Sequence, residues 1–570
     1  MNILEVWAPT ASRVDVVGGD ERVAMEGTDG GWFRAEIGFD DYSFSLDGRE
    51  ARPDPRSRWQ PEGVHGPSRI YDHSSFAWSD SGWKGFPLDA AVIYELHVGT
   101  FTSEGTFDGA IDRLDHLVSL GINAVELMPV NEFPGARGWG YDGVDLYAPH
   151  RSYGGPDALK RLIDACHARD LAVIIDVVYN HLGPAGNYLR EFGPYFTDRY
   201  GTPWGDAVNF DDAGSDEVRT FFVDNALMWL RDYHFDGLRL DAVHAIFDRS
   251  AMHFLEELGD RVRDLERDLG RALWVIAESD LNDPRLVWEK SRGGYGLDAQ
   301  WSDDFHHALH ACLTGERSGY YADFGRVGDI AKALRDAFVY DGRYSAFRGR
   351  RHGRPGADVP GHRFLGYLQD HDQVGNRALG ERTSALLSPD LLKVGAALVL
   401  TAPFVPMLFM GEEWGASTPF LYFTDHEDAE LGHAVSEGRK REFATFGWDP
   451  DAIPDPQSAA TFEASKLRWD ELDDPHHADL LEWHRALIAL RKATSALRSE
   501  ERPTVAHSED PPWVVVQRGA VVIAANLAPD ESEIAFEGDA ELLLTSGKDP
   551  SLGEGSLRLP PETVSILRRI

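Results

Sequence analysis

The sequence predicts an α/β protein built round a (β/α)8, or TIM, barrel, with a β-sandwich ahead of it and a small antiparallel β domain behind. Three observations carry that reading. From Ala91 onward, short apolar runs alternate with amphipathic helical stretches, the pattern of βα units round a parallel sheet. Eight such runs precede residue 492, the number a closed barrel needs. At both ends of the chain the texture changes to residue-by-residue alternation broken by Gly, Asp and Pro, as in antiparallel sheets. The expected division is 1–88, an immunoglobulin-like sandwich; 89–492, the barrel; and 493–570, the second β domain.

Each element has its own warrant. In the first unit, Glu5-Val6-Trp7-Ala8 and Val14-Asp15-Val16-Val17 alternate as strands do, and a Gly, Ser and Pro-rich stretch from Ser79 to Pro87 reads as the linker. The barrel strands are expected at Val92–Leu96, Ala124–Leu127, Ala172–Val177, Gly237–Leu240, Leu273–Ala277, Leu297–Trp301, Phe364–Leu368 and Val405–Phe409. Leu159, Leu162 and Ile163 form the apolar face of a helix over Asp157–His167. A second helix is expected to be capped by Ser215, with Asp216 and Glu217 in its first turn and Val218, Phe222, Ala226 and Trp229 at helical spacing. Between the two lies Leu182–Gly214, more than 30 residues rich in Gly, Pro and aromatics, long enough for a loop subdomain over about 182–214. Val394–Gly411 runs 18 residues without a charge, but Pro403 and Pro406 divide it into a buried helix ending near Leu400 and a strand, rather than a membrane span. A helix over Asp479–Lys492 follows the barrel, and Trp513–Val516 and Val521–Ile523 return to alternation.

Composition narrows the classes of function. Lys and Arg number 56 against 95 Asp and Glu, a formal net charge of −39 that repels phosphate backbones and anionic lipid, so neither nucleic acid nor a membrane is expected as a partner. With 42% hydrophobic residues and 16 Trp the chain has a large core to bury, which excludes disordered and fibrous classes. Cys166 and Cys312 make neither a disulfide framework nor a zinc pattern, and Met1–Val6 carries no basic stretch leading into an apolar one. A reducing, cytoplasmic setting is expected.

Polar residues at the C-terminal ends of barrel strands converge on one mouth, where barrels do chemistry. Four strand ends are polar: Asp176-Val177-Val178-Tyr179-Asn180-His181, Arg239-Leu240-Asp241-Ala242-Val243-His244, Glu278-Ser279-Asp280, and Gln369-Asp370-His371-Asp372. Arg239 and Asp241 are two apart, so both face the mouth, and an Arg beside an Asp keeps the carboxylate ionised, as a nucleophile requires. Alone, the same spacing describes an ion pair tying strand to loop. Glu278 follows the apolar run Leu273–Ala277 directly, and a carboxyl against a dry wall holds its proton; alone, a Glu at a strand end is also an ordinary solvated loop residue. Three carboxylates with His181, His244 and His371 suit either a metal site or acid/base work, and the tight His spacing typical of metal ligation is not seen. A retaining glycosidase needs an ionised and a protonated carboxyl about 5–5.5 Å apart; adjacent strands lie about 4.8 Å apart, so Asp241 and Glu278 are compatible. Trp139, Tyr141, Tyr179 and Trp204 are aromatics near the mouths, suited to stacking on sugar faces or to packing.

These four segments, in this order, with Gly140-Tyr141-Asp142-Gly143-Val144-Asp145 after the second strand, resemble the signature regions of the family 13 glycoside hydrolases, the α-amylase group. The resemblance implies Asp241 as nucleophile, Glu278 as general acid/base, and Asp372 as the carboxylate that grips ring hydroxyls, with Arg239 orienting Asp241. It places His181, His371 and Tyr141 round the attacked glucose and His244 on the leaving-group side. The runs Asn180–Tyr188, Tyr195–Asp198, Thr202–Gly205, Asn209–Asp211, Leu238–Ile246, Ala277–Asn282 and Gly411–Trp414 with Thr418–Phe420 narrow it further. They are similar to members that cleave the α-1,4 bond next to the terminal trehalose unit of a maltooligosyl trehalose. Substrates are then maltooligosyl trehalose and maltooligosaccharides, a maltooligosyl trehalose synthase is implied as functional partner, and Trp204 is expected to wall the leaving-group subsites. No cofactor is required by that reaction, and Asn180 alone does not establish an oxygen cage for calcium or magnesium. One departure is Asp370, where the family usually has Asn before the His-Asp pair.

Rival readings remain. A glycogen branching enzyme or a general α-amylase shares the barrel and the three carboxylates; the Glu278–Asn282 segment and the Trp204 loop argue against the branching enzyme. A catalytically silent carbohydrate-binding barrel is expected to lack one of the three carboxylates, and this chain has all of them.

Overall fold

The computed structural model describes residues 2–444, 452–553 and 555–570. Its first 70 or so residues form two antiparallel sheets. One joins Asn2–Trp7, Trp32–Ile37 and Glu26–Gly27; the other orders Glu21–Ala24, Val14–Gly18, Asp41–Leu46 and Ser68–Arg69. Leu4, Val6, Val14, Val16, Phe44 and Leu46 turn inward and are buried, as two-residue periodicity requires of sheets with one dry face.

Eight parallel strands then close into a barrel in chain order: β1 (Ile93–Leu96), β2 (Ala124–Leu127), β3 (Ala172–Val177), β4 (Gly237–Leu240), β5 (Trp274–Ala277), β6 (Ala299–Trp301), β7 (Phe364–Gly366) and β8 (Val405–Phe409). Every residue of these strands is buried, because helices cover the outside and side chains fill the inside. Each predicted strand is present, and β6 and β7 are shorter than the apolar runs that announce them: Leu297, Tyr367 and Leu368 are as buried as strand residues but lie outside the ladder. Periodicity and burial do not separate a paired residue from its buried neighbour. Register sets Arg239 on β4 beside Asp176 on β3, and Glu95 on β1 beside Glu126 on β2.

The stretch Ser79–Pro87 is a tether rather than a loose linker. Trp83 donates to Asp236 at 2.7 Å and stacks on His167, and with Phe86 it packs against Ile93, Trp274 and Ile276 at the strands' N-terminal ends. The Ser215–Asp232 helix buries Val218, Phe222, Ala226 and Trp229 as expected, but Ser215 does not cap it. The capping position is Gly214, whose φ of 79° and ψ of 10° reverse the chain in a conformation glycine adopts without a Cβ clash. The 182–214 segment folds into a short helix, Leu189–Phe192, and a hairpin, Phe196–Thr202 with Gly205–Val208, whose tip is Pro203-Trp204. The uncharged run resolves into the helix Pro389–Leu400 and β8, and among the described residues no helix is long and apolar enough to cross a membrane. Helix Pro475–Ala493 starts a turn earlier than predicted, where Asp474 caps it and Pro475 takes a position needing no N–H partner.

The C-terminal region is a five-stranded antiparallel sheet (Thr504–Glu509, Pro512–Arg518, Val521–Asn526, Thr563–Arg569, Ala540–Thr545) with a three-stranded one beside it. Two buried guanidinium groups meet at its junction with the barrel, and Arg518, on the sheet, is the one that crosses it. Arg491 donates to the carbonyls of Leu400, Ala402 and Phe404, and Arg518 to those of Thr401, Ala402, Leu497 and Ser499. They satisfy orphan carbonyls at the end of the Pro389–Leu400 helix.

Candidate active site

A cavity of about 600 Å³ opens at the C-terminal mouth of the barrel. Its wall contains the nine residues expected to catalyse or bind, Tyr141, His181, Trp204, Arg239, Asp241, His244, Glu278, His371 and Asp372, and also Trp139, but not Tyr179.

Arg239 is the hub. Its side chain is buried, and Nη1 donates to both oxygens of Asp176 at 2.8 Å and to Asp241 Oδ1 at 2.9 Å, while Nη2 lies 3.8 Å from Glu278 Oε2. Asn180 Nδ2 donates 2.7 Å to the other oxygen of Asp241. Burial opposes charge on Asp241, but Arg239, His181 and the hydrogen bonds from Asn180 and Arg239 outweigh it and hold this carboxyl below the usual aspartate range. Glu278 goes the other way. Burial, with the negative Asp241 and Asp372 nearby, pushes it up to about 7, against the pull of Arg239 and a 2.6 Å hydrogen bond from the Ala242 N–H. One mouth thus carries an ionised carboxylate and a protonated carboxyl on neighbouring strands, flanking one guanidinium. Ala242 reaches Glu278 because it sits at φ 40°, ψ 50°, a left-handed conformation that costs an alanine about 1–2 kcal/mol.

Asp372 is not a strand-end residue. β7 stops at Gly366, and Asp372 lies in the first turn of a short helix, His371–Gly375, because Asp370 caps it: the Asp370 side chain accepts from the N–H groups of Asp372 and Gln373 at 2.8 and 3.1 Å. Asp370 therefore does reach the site. Its Oδ2 is buried without a hydrogen-bond partner, and burial, then Glu95, push its carboxyl up to about 7.

The aromatic residues divide. His181 lies flat under Trp204, ring centroids 4.1 Å apart and planes 4° apart, and the half-exposed Trp204 forms a wall of the cavity. Tyr141 stacks on His371 at 5.4 Å. Trp139 lines the cavity while stacked on Phe420, its indole N–H held by the Leu421 carbonyl. Tyr179, two residues past β3, is not at the mouth: it is buried, donates to Asn225 and packs edge-on against Phe222 of the Ser215–Asp232 helix. His244 is exposed at the rim. Asn180 Oδ1 is taken by His181 Nδ1, and among the described residues no group of three or more His, Cys, Asp or Glu is arranged to hold a metal ion.

Several wall residues escaped the sequence. Phe347 and Arg348 come from the hairpin Asp341–Ser345 with Arg350–Gly353, and Arg348 is fixed by a 2.9 Å ion pair to Asp280. Tyr320, His307 and Asp303 complete that side. The signal available was the length of the segment between β6 and β7, which is the longest strand-to-strand interval of the barrel and slightly exceeds the one that holds 182–214.

This fold and this mouth define a glycoside hydrolase of the α-amylase class. A family model described as alpha amylase, catalytic domain, matches residues 69–200, and one described as a domain of unknown function (DUF3459) matches 504–566. A malto-oligosyltrehalose trehalohydrolase of Rhizobium sp. (strain M-11) is 50% identical over 99% of this chain and 97% of its own length; that of Arthrobacter ramosus is 55% identical over 85% and 86%. A crystal structure of a putative alpha amylase from Salmonella typhimurium superposes with a TM-score of 0.91 at 37% identity, covering 100% of this chain and 97% of the other. The chain belongs to the malto-oligosyltrehalose trehalohydrolase family.

Proposed function

We propose that this protein hydrolyses the α-1,4-glucosidic bond next to the terminal trehalose of a maltooligosyl trehalose, releasing trehalose and a shorter maltooligosaccharide with retained configuration. Asp241 attacks the anomeric carbon and forms a glycosyl ester, while Glu278 gives its proton to the departing trehalose oxygen. Glu278, now a carboxylate, takes a proton from water, which attacks the same carbon; the carbon–Asp241 bond breaks and both carboxyls return to their starting states. Arg239 steadies Asp241, Asp372 holds hydroxyls of the attacked glucose, and Tyr141, His181 and His371 surround it. Trp204 forms the leaving-group wall, with His244 at the rim beside it. The reaction consumes water and needs no cofactor.

The observation that carries this reading is the placement of Asp241 and Glu278 at the ends of adjacent strands within reach of one guanidinium, Arg239 bonded to Asp241 at 2.9 Å and lying 3.8 Å from Glu278, with surroundings that lower the first carboxyl and raise the second. The substrate's α-1,1 linkage requires an enzyme that makes it at the reducing end of a maltodextrin, so the partner in function is a maltooligosyl trehalose synthase, and the unpaired Cys166 and Cys312 suit a reducing, cytoplasmic setting. The test is product analysis on maltotriosyl trehalose beside maltotetraose. Free trehalose from the first with little cleavage of the second supports the assignment; equal glucose and maltose from both makes the protein a general amylase, and new α-1,6 links in amylose make it a branching enzyme.

A further inference from the structure

Below the glucose-binding floor, a chain of hydrogen bonds crosses the barrel. His371 Nδ1 lies 2.5 Å from Glu95 Oε1, and the His371 main-chain N–H donates to the other oxygen, Glu95 Oε2, at 3.0 Å. His371 Nε2 lies 2.8 Å from the Tyr141 hydroxyl, which lies 2.6 Å from Asp176 Oδ2. Asp176 accepts from Arg239, and Arg239 also donates to Asp241.

Counting protons fixes the direction of this chain. The Tyr141 hydroxyl has one proton and two neighbours. Asp176 has both oxygens on the Arg239 guanidinium, which favours its carboxylate form against burial, and it accepts the hydrogen bond of the Tyr141 hydroxyl. Tyr141 must then accept from His371 Nε2–H. Since Nδ1 faces the carboxylate of Glu95, His371 carries a proton on each nitrogen.

The geometry points to Glu95 as the positioning residue of the site: by receiving both the main-chain N–H and the ring Nδ1–H of His371, it keeps that ring doubly protonated, so that the Tyr141 O–H keeps donating to Asp176 and Arg239 stays shared with Asp241. The inference rests on the hydrolytic reading of the same mouth and goes beneath it, since Glu95 is absent from the cavity wall and touches no sugar. The groups facing His371 are mostly carboxylates, which favour the imidazolium, with the Arg239 guanidinium and His97 opposing it. From β1 and the turn after it come Glu95 and His97, from β2 Glu126, from β3 Asp176, from β4 Arg239, and from its own segment Asp370 and Asp372. Burial works against the imidazolium, but Glu95 first, then Asp370 and Asp372, raise it to about 10. Glu126 sits beside Glu95 with neither oxygen hydrogen-bonded, and burial, then Glu95, push its carboxyl well above the usual glutamate range, whereas Glu95 has both oxygens on His371.

Without Glu95 the imidazole is neutral above about pH 6.5. Its Nε2 then accepts the hydrogen bond of the tyrosine hydroxyl, and Asp176 competes more strongly for Arg239. The test is nitrogen NMR on histidine-labelled protein, with His371 assigned by its loss in His371→Gln. At about pH 8, wild type is expected to show His371 as imidazolium and Glu95→Gln as neutral imidazole. In the rate profile above about pH 7, log kcat/KM is expected to fall about one unit per pH unit in wild type, for Glu278 alone, and about two in Glu95→Gln, for Glu278 and His371 together. A neutral His371 in wild type at that pH overturns the inference, and so does Glu95→Gln with the wild-type slope. If Glu95→Gln does not fold, the wild-type spectrum alone decides. Failure of wild type to release trehalose would instead strike the hydrolytic reading and leave the nitrogen shifts to report on Glu95.

Discussion

Asp241 and Glu278 are both plain carboxylic acids, and their surroundings divide the work between them. Asp241 receives hydrogen bonds from Arg239 and Asn180, which favour the charged form; Glu278 receives one, from Ala242, and otherwise faces a dry wall and negative neighbours. In the proposed mechanism Glu278 acts while protonated, so kcat/KM is expected to decline as pH rises through about 7, whereas Asp241 is held below the ordinary aspartate range and is expected to set the acid limb there. Glu278→Gln is predicted to lower kcat by about 10²–10⁴-fold and to abolish the alkaline limb, read from rate profiles of both proteins. A limb that survives in the variant would assign it to another group. These two residues and Arg239 were legible because they follow recognisable apolar strands, so their direction followed from strand geometry alone. Glu95 sits inside such a strand, in Tyr94-Glu95-Leu96, where a charge is a visible anomaly; its partner His371 is 276 positions away, and nothing local announces the pair.

At the level of elements, loops between strands wall the cavity, and in the proposed reading they set its specificity. The hairpin ending in Trp204 and the hairpin carrying Phe347 and Arg348 both reach the cavity, Trp204 braced on His181 and Arg348 braced on Asp280. A braced aromatic plane loses little entropy on meeting a sugar face. Trp204→Ala is predicted to raise KM for maltooligosyl trehalose by about 10-fold or more, the equivalent of about 1.4 kcal/mol, with a smaller change on maltooligosaccharide; equal changes on both would remove Trp204 from trehalose recognition. The first hairpin was readable as a long aromatic-rich insertion, although its strands were not, since Phe196–Thr202 is only partly buried and lacks clean alternation. The second was hidden by its basic run, Arg348, Arg350 and Arg351, which reads as a solvated loop until Asp280 supplies the partner. Caps were the other misjudgement. Ser215 has the right chemistry but Gly214 has the conformation, and backbone reversal decides the position.

Across the whole molecule, one buried cluster runs from Leu4 and Val16 in the first sheets through the barrel helices to Val514 and Ile566 in the last, so the β regions are structural partners of the barrel. Boundaries at 88/89 and 492/493 are accordingly a proposal about ancestry and texture more than about independent folding. Arg518 bridges barrel and final sheet through four carbonyl hydrogen bonds. Arg518→Met keeps much of its bulk and leaves those carbonyls without a donor, and is predicted to cost about 1–3 kcal/mol in urea unfolding with kcat unchanged; an unchanged urea midpoint would mean that other contacts hold the joint. The eight strands, their order and the mouth they share were readable in the sequence because hydrophobic periodicity is local, whereas this joint depends on arginines whose acceptors lie up to 117 residues away. The pairing of Asp241 with Glu278 is tested most directly by trapping. Glu278→Gln incubated with a maltooligosyl fluoride, whose leaving group needs no proton, is expected to accumulate a glycosyl ester that peptide mass spectrometry maps to Asp241. An adduct on any other residue, or turnover with inverted configuration and no adduct, would contradict it.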